Sequence, residues 1–228
     1  MLKKLAGALQ EVLLNFIFPP HCPICDAYVE NRGDWCEKCF NKIFQPEQLA
    51  LSVPMQAVIN RAWALTLYRG GTRNLIRGLK YQGKRIYLPY LQKILLAAEK
   101  NPDILALLQE NDIAVFVPLY EQRQKKRGFN QTALIFQKWL EKNNVPVVAG
   151  LSRIRATRPM YALSLRERQA NLRKAFNLNS DFSPAGKHVL LLDDIMTTGA
   201  TLYACAKLLH QAGASSVDVL VMASDHWQ

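Results

Sequence analysis

The sequence predicts an α/β fold: a parallel sheet covered by helices on both faces, with a small N-terminal zinc-ribbon-like module. Three observations predict it. From about residue 60, short apolar strand signals alternate with helical periods. Four of the five cysteines fall within eighteen residues as two C-x-x-C pairs. One apolar run ends in two carboxylates and a threonine-rich turn, as expected where a strand meets a ligand at its carboxyl end.

Composition bounds the function. The chain has 228 residues, half of them hydrophobic and 21% charged, with 29 Lys+Arg against 18 Asp+Glu for a net charge of +11. This length buries a real core and fits one ordinary domain with a small appendage. Eleven Gly and eleven Pro exclude a collagen-like, low-complexity or wholly disordered chain. No run approaches the roughly 18 consecutive apolar residues of a membrane span. Five cysteines are too few for a disulfide scaffold.

Residues 1–20 read as an amphipathic helix. Leu2, Leu5, Leu9, Val12, Leu13 and Phe16 recur at spacings of three and four before Pro19-Pro20 stops the helix. Gln10, Glu11 and Asn15 interrupt the apolar stretch, which argues against a secretory signal and predicts a cytoplasmic chain. The helix either packs on the protein body or docks on a membrane surface or partner.

Residues 21–45 form the cysteine module. Cys22-Pro23-Ile24-Cys25 and Cys36-Glu37-Lys38-Cys39 are separated by ten residues that contain the turn Asn31-Arg32-Gly33-Asp34. Two residues between cysteines let both thiolates face one point, so two such turns supply the four soft ligands of a tetrahedral structural zinc. A fragment this small would draw most of its folding energy from the metal. Two disulfides or an iron–sulfur centre are the alternatives. His21 is a bystander, and Cys205 reads as a buried small residue on a helix.

Residues 60–228 carry the α/β domain. The patterns predict strands at 62–68, 113–117, 145–148, 188–192 and 216–222, and helices at 72–81, 88–100, 131–142 and 199–211. Strands separated by helices pair in parallel through right-handed crossovers.

The chemistry concentrates in residues 189–202. Val189-Leu190-Leu191-Leu192 runs into Asp193 and Asp194, and a turn then opens a helix. Thr197, Thr198 and Thr201 offer hydroxyls, Gly199 lets the backbone approach closely, and the amides around Ala200 face outward with the positive end of the helix dipole. That is a phosphate cradle. The carboxylates would repel a phosphate and instead suit sugar hydroxyls or a magnesium ion, so the segment predicts a sugar-phosphate site. Neither a P-loop nor a G-x-G-x-x-G fingerprint occurs.

This segment resembles the phosphoribosyl-pyrophosphate (PRPP) motif of the type I phosphoribosyltransferases. The wider pattern resembles the competence protein F (ComF) family. Val117-Pro118-Leu119, Arg123 and Arg127-Gly128-Phe129-Asn130-Gln131 carry the likeness, with Leu163-Ser164, Arg166, Arg168, Asn171 and Ala175-Phe176. One departure is Met160, where relatives tend to have glutamine. The resemblance implies a sheet of the type I phosphoribosyltransferase kind. It places the ribose hydroxyls on Asp193 and Asp194, and the 5′-phosphate on residues 197–201. It makes the turn Arg123–Gly128 a pyrophosphate loop, with Arg127 stabilising the leaving group of a Mg2+-assisted displacement.

The run from Arg153 to Lys174 holds Arg153, Arg155, Arg158, Arg166, Arg168, Arg173 and Lys174 against the single acid Glu167. With Tyr161 inside it and Phe176 following, it is a footprint for single-stranded nucleic acid. It is also compatible with a plain basic surface or a mobile loop closing over pyrophosphate. The ComF resemblance implies single-stranded DNA, handled beside the translocation channel and helicase of natural transformation at the inner membrane. A catalytically active phosphoribosyltransferase of nucleotide salvage is the alternative.

Overall fold

The computed structural model describes residues 17–155 and 175–225. Helix α1 (Glu37–Ile43) and strand β1 (Phe44–Gln48) are followed by α2 (Val53–Gln56) and β2 (Ala62–Leu67). Helices α3 (Gly70–Gln82), α4 (Leu88–Ala98) and α5 (Pro102–Glu110) lead to β3 (Ile113–Phe116). Helices α6 (Glu121–Arg127) and α7 (Gln131–Lys142) lead to β4 (Val147–Val148). Strands β5 (Leu151–Arg153) and β6 (Phe176–Leu178) precede β7 (His188–Met196), α8 (Ala200–Gln211) and β8 (Ser216–Ser224).

One six-stranded sheet has the order β1-β2-β8-β7-β3-β4, parallel throughout except for β1. Strands β5 and β6 pair antiparallel by themselves and bracket residues 156–174. The central strands read as near-continuous apolar runs because both faces are covered. Leu190, Leu192, Leu220 and Met222 pack with residues of α3, α4, α5 and α7 on one face. Val189, Leu191, Val217, Val219 and Val221 pack with α8 and Met55 of α2 on the other.

The expected β/α alternation is present, with differences at several elements. β7 does not end at Leu192. It continues to Met196, with Asp193 opposite Val221 and Ile195 opposite Ala223 of β8, so both acids lie within the paired strand. The Arg123–Gly128 turn is instead the last part of helix α6, closed by Gly128 at φ +77°, a left-handed cap that glycine adopts freely. Helices α1, α2 and α5, edge strand β1 and the β5–β6 pair have no counterpart among the expected elements. The rim of the sheet where β2, β3 and β8 begin is closed by polar contacts. Arg61 contacts Asp218 at 2.5 Å and Glu110 at 2.7 Å, and Asn60 and Asn111 also donate to Asp218. The opposite rim, where these strands end, holds Asp193, Asp194 and the threonine turn. The expected helix at 1–20 falls almost wholly outside the described residues. Among those described, no helix is long and apolar enough to cross a membrane.

Candidate functional site

The four thiols of Cys22, Cys25, Cys36 and Cys39 lie within 4.8 Å of one another, and the Sγ atoms of Cys25 and Cys36 are 3.5 Å apart. A zinc tetrahedron with Zn–S bonds of about 2.3 Å has S···S edges of about 3.8 Å, so the cluster fits the metal, and these four residues would hold it. No disulfide joins these cysteines, and all four thiols converge on one point, which suits a shared metal rather than two separate bridges. The Cys22 thiol is opposed by burial, yet backbone N–H groups of Cys25, Cys36 and Ile24 bring it down to about 6. Burial and the neighbouring thiols push Cys39 up to about 12. Such a cluster resists carrying four negative charges unless a cation gathers them.

The module is seated firmly on the sheet domain. Trp35 donates from Nε1 to the Tyr90 carbonyl at 2.9 Å and meets its ring edge-on at 5.8 Å. Lys93 pairs with Asp34 at 2.7 Å. Ile24, inside the first cysteine turn, occupies the space where any side chain at Gly71 would project.

At the rim, α8 opens with Gly199 at φ +68°. That backbone conformation favours glycine, and a Cβ there would lie 2.6 Å from the Met55 methyl, which would have to move aside. The first intrahelical bond runs from the Tyr203 N–H to the Gly199 carbonyl at 2.8 Å, leaving the preceding amides to face outward. Thr197 is exposed, and Thr198, Ala200 and Thr201 are half-buried.

The two acids behave differently. Asp193 is half-buried. Its Oδ1 accepts from the Asp194 N–H at 2.8 Å and from Thr132 Oγ1 at 3.4 Å. Burial, and then the adjacent Asp194 charge, push the Asp193 carboxyl well above the usual carboxylate range. Asp194 is 2% exposed, and its Oδ2 lies 2.8 Å from Lys80 Nζ. Burial opposes the Lys80 ammonium, but the charges of Asp194 and then Asp193 outweigh it and raise its pKa. Asp194 thus points inward, against the expectation that both acids face a ribose. The alternation of side chains along a strand puts neighbours on opposite faces.

Lys80 is a site residue that the sequence reading missed. Its signal was its position four residues after buried Ile76, on the face of α3 that packs on the sheet.

From β3, α6 brings Arg127 to the same rim. Its Nη1 donates to Gln131 Oε1, and burial lowers its pKa although the Asp194 charge acts the other way. Arg123 is exposed one turn earlier. Arg153 is lowered by burial and then by the charge of Arg123, and its guanidinium lies 5.2 Å from the Phe176 ring. Arg155 is exposed. Arg158, Arg166, Arg168, Arg173 and Lys174 lie outside the described residues. The structure therefore gathers Asp193, Asp194, Thr197, Thr198, Gly199, Ala200, Thr201, Arg123, Arg127, Gly128 and Arg153 around one rim, with Lys80 beneath.

The family model of the double zinc ribbon domain matches residues 13–49, and that of the phosphoribosyl transferase domain matches residues 131–226. DNA utilization protein YhgH of Escherichia coli (strain K12) is 35% identical over 201 residues, covering 87% of this chain and 81% of the relative. Competence protein F of Haemophilus influenzae is 32% identical over 225 residues, covering 96% and 90%. Competence protein ComFC of Bacillus subtilis is 29% identical over 111 residues, covering 46% and 40%. Among solved structures, a Trypanosoma cruzi hypoxanthine phosphoribosyl transferase aligns at 16% identity and a TM-score of 0.40, over 59% of this chain and 64% of that one. With a four-cysteine zinc ribbon set on a phosphoribosyl transferase domain, the chain belongs to the family of competence protein F and DNA utilization protein YhgH.

Proposed function

We propose that this protein binds PRPP with Mg2+ at the open rim and also binds single-stranded DNA, acting as a competence-associated protein in DNA uptake. The observation that carries the reading is the pairing of a helix mouth lined by Thr197, Thr198 and Thr201 with the half-buried carboxylate of Asp193. The mouth holds the 5′-phosphate. Asp193 meets the ribose diol, while Asp194 supports the site from below through Lys80. Arg123 and Arg127 face the pyrophosphate, where Arg127 takes two oxygens at once. Magnesium would neutralise pyrophosphate charge, and of the residues present the Asp193 carboxylate is the one that fits it.

The names of the relatives support the DNA half, as does the basic excess of +11. Calorimetric titration with PRPP and Mg2+ tests the first half: saturable binding that Asp193→Ala abolishes is expected, and binding that survives this change would overturn the site. Labelled oligonucleotide titrated at several salt concentrations tests the second: affinity should exceed that for duplex and fall steeply with salt. Pyrophosphate release with one base from a panel would instead favour a salvage transferase.

A further inference from the structure

The segment from Tyr68 to Tyr87, which holds α3 and the turn after it, contains Arg69, Arg73, Arg77, Lys80, Lys84 and Arg85 and no acid. Lys80 is spent on Asp194. The side chains of Arg73, Arg77, Lys84 and Arg85 are exposed, and none forms an ion pair among the described residues. A solvated helix face usually intersperses both signs. This one does not.

Aromatics are interleaved with these cations. Tyr81 is 73% exposed, with the Arg77 guanidinium 5.8 Å and the Arg127 guanidinium 5.9 Å from its ring centroid. Arg85 lies 5.1 Å from the Phe129 ring, and Lys84 5.7 Å from that of Tyr87.

Helix α3, with 13 residues, spans about 20 Å, longer than a sugar phosphate seated at the rim, so one small ligand cannot use the whole stripe. Arg73, Arg77 and Tyr81 recur every four residues, a rise of about 6 Å. A strand stacked as in duplex presents a charge every 3.4 Å or so of axis. The wider spacing suits a strand whose bases are pulled apart onto aromatic and guanidinium planes.

We propose that single-stranded DNA runs along the Arg73–Arg77–Tyr81–Arg85 stripe and ends on Arg127, so that strand and PRPP share that guanidinium and compete. This rests on the single-strand half of the proposed function and assigns it to α3 and the turn after it rather than to the Arg153–Lys174 run.

The test is fluorescence anisotropy with labelled oligo(dT), comparing the whole protein with R77Q/R85Q, Y81A and R155Q. Loss of two phosphate contacts near 0.15 M salt weakens binding roughly 14-fold and flattens the log–log salt slope by about 1.4. Tyr81→Ala weakens it about fivefold or more. Calorimetric PRPP affinity of R77Q/R85Q stays at the wild-type value, and saturating PRPP with Mg2+ displaces oligo(dT) from the wild type.

If the wild type binds no oligo(dT), the DNA half of the proposed function falls and takes the stripe with it. If the wild type binds while R77Q/R85Q and Y81A bind equally well, or only R155Q weakens, the stripe alone is overturned. Undiminished oligo(dT) binding under PRPP overturns the sharing of Arg127. Tighter binding of duplex or of oligo(U) overturns single-stranded DNA as the occupant.

Discussion

Replacing Lys80 by Met leaves the methylenes in place and removes the ammonium that lies 2.8 Å from Asp194. Asp194 is 2% exposed and the Lys80 side chain 17% exposed, so solvent cannot take over the neutralisation. Removing one member of a buried pair costs about 3–5 kcal/mol, because the remaining charge stays buried without a partner. For a chain of 228 residues each kcal/mol lowers the melting temperature by roughly 2–4 °C, so Lys80→Met should fall by about 6–20 °C. The same variant with Asp194→Leu removes both charges and should regain most of the loss.

The assay is urea unfolding of wild type, both single variants and the double variant at pH 7.5. The alkaline limb adds a sign. A Lys80 pKa raised above its unfolded value of about 10.4 stabilises the fold fully below that value, and the stabilisation disappears as pH rises through the folded pKa. Lys80→Met should lack this component. A single-variant loss under about 1 kcal/mol, or a double variant no better than Lys80→Met, would refute the buried pair as the support of the rim.

Three further outcomes are expected. Cys25→Ser and Cys36→Ser should each lower the zinc content from one per chain, measured by elemental analysis, and lower the thermal midpoint. Gly71→Val should destabilise by about 1–3 kcal/mol through its clash with Ile24, and Ile24→Ala added to it should restore part of the loss in denaturant titrations. With its pKa raised in the fold, Asp193 contributes stability that is fully present below the unfolded value near 3.9 and is lost as pH rises through the folded pKa. Asp193→Asn should therefore raise the melting temperature at pH 7.5 more than at pH 4.

Much of this architecture is legible without coordinates. Helix α7 occupies its expected span, Gln131–Lys142, because its apolar period is unambiguous and Asn130 caps it. The four cysteines converge as their spacing requires. Other elements were hidden for local reasons. β1 contains Pro46, a residue that reads as a strand breaker, and it survives because it is an edge strand with a register shift between Phe44 and Glu47. Helix α6 has a charged, seven-residue sequence without an apolar period. α5 did advertise itself: Asn101 accepts from the amides of Asp103 and Ile104 ahead of Pro102, a cap-and-proline start. At the rim, the acids looked like a strand terminus because aspartate is uncommon in strands. β7 tolerates them only because Lys80 arrives from a segment more than a hundred residues earlier in the chain, a contact that no local pattern encodes.

The lodging of Ile24 against Gly71 has a consequence for how the two halves can vary. Gly71 sits at the start of α3, which follows β2 onto the rim, while Ile24 stands between two of the sulfur ligands. Loosening the metal frees Ile24, and with it the floor on which the opening turn of α3 rests. A chelator would then be felt at the opening turn of α3, on the far side of that contact from the thiols.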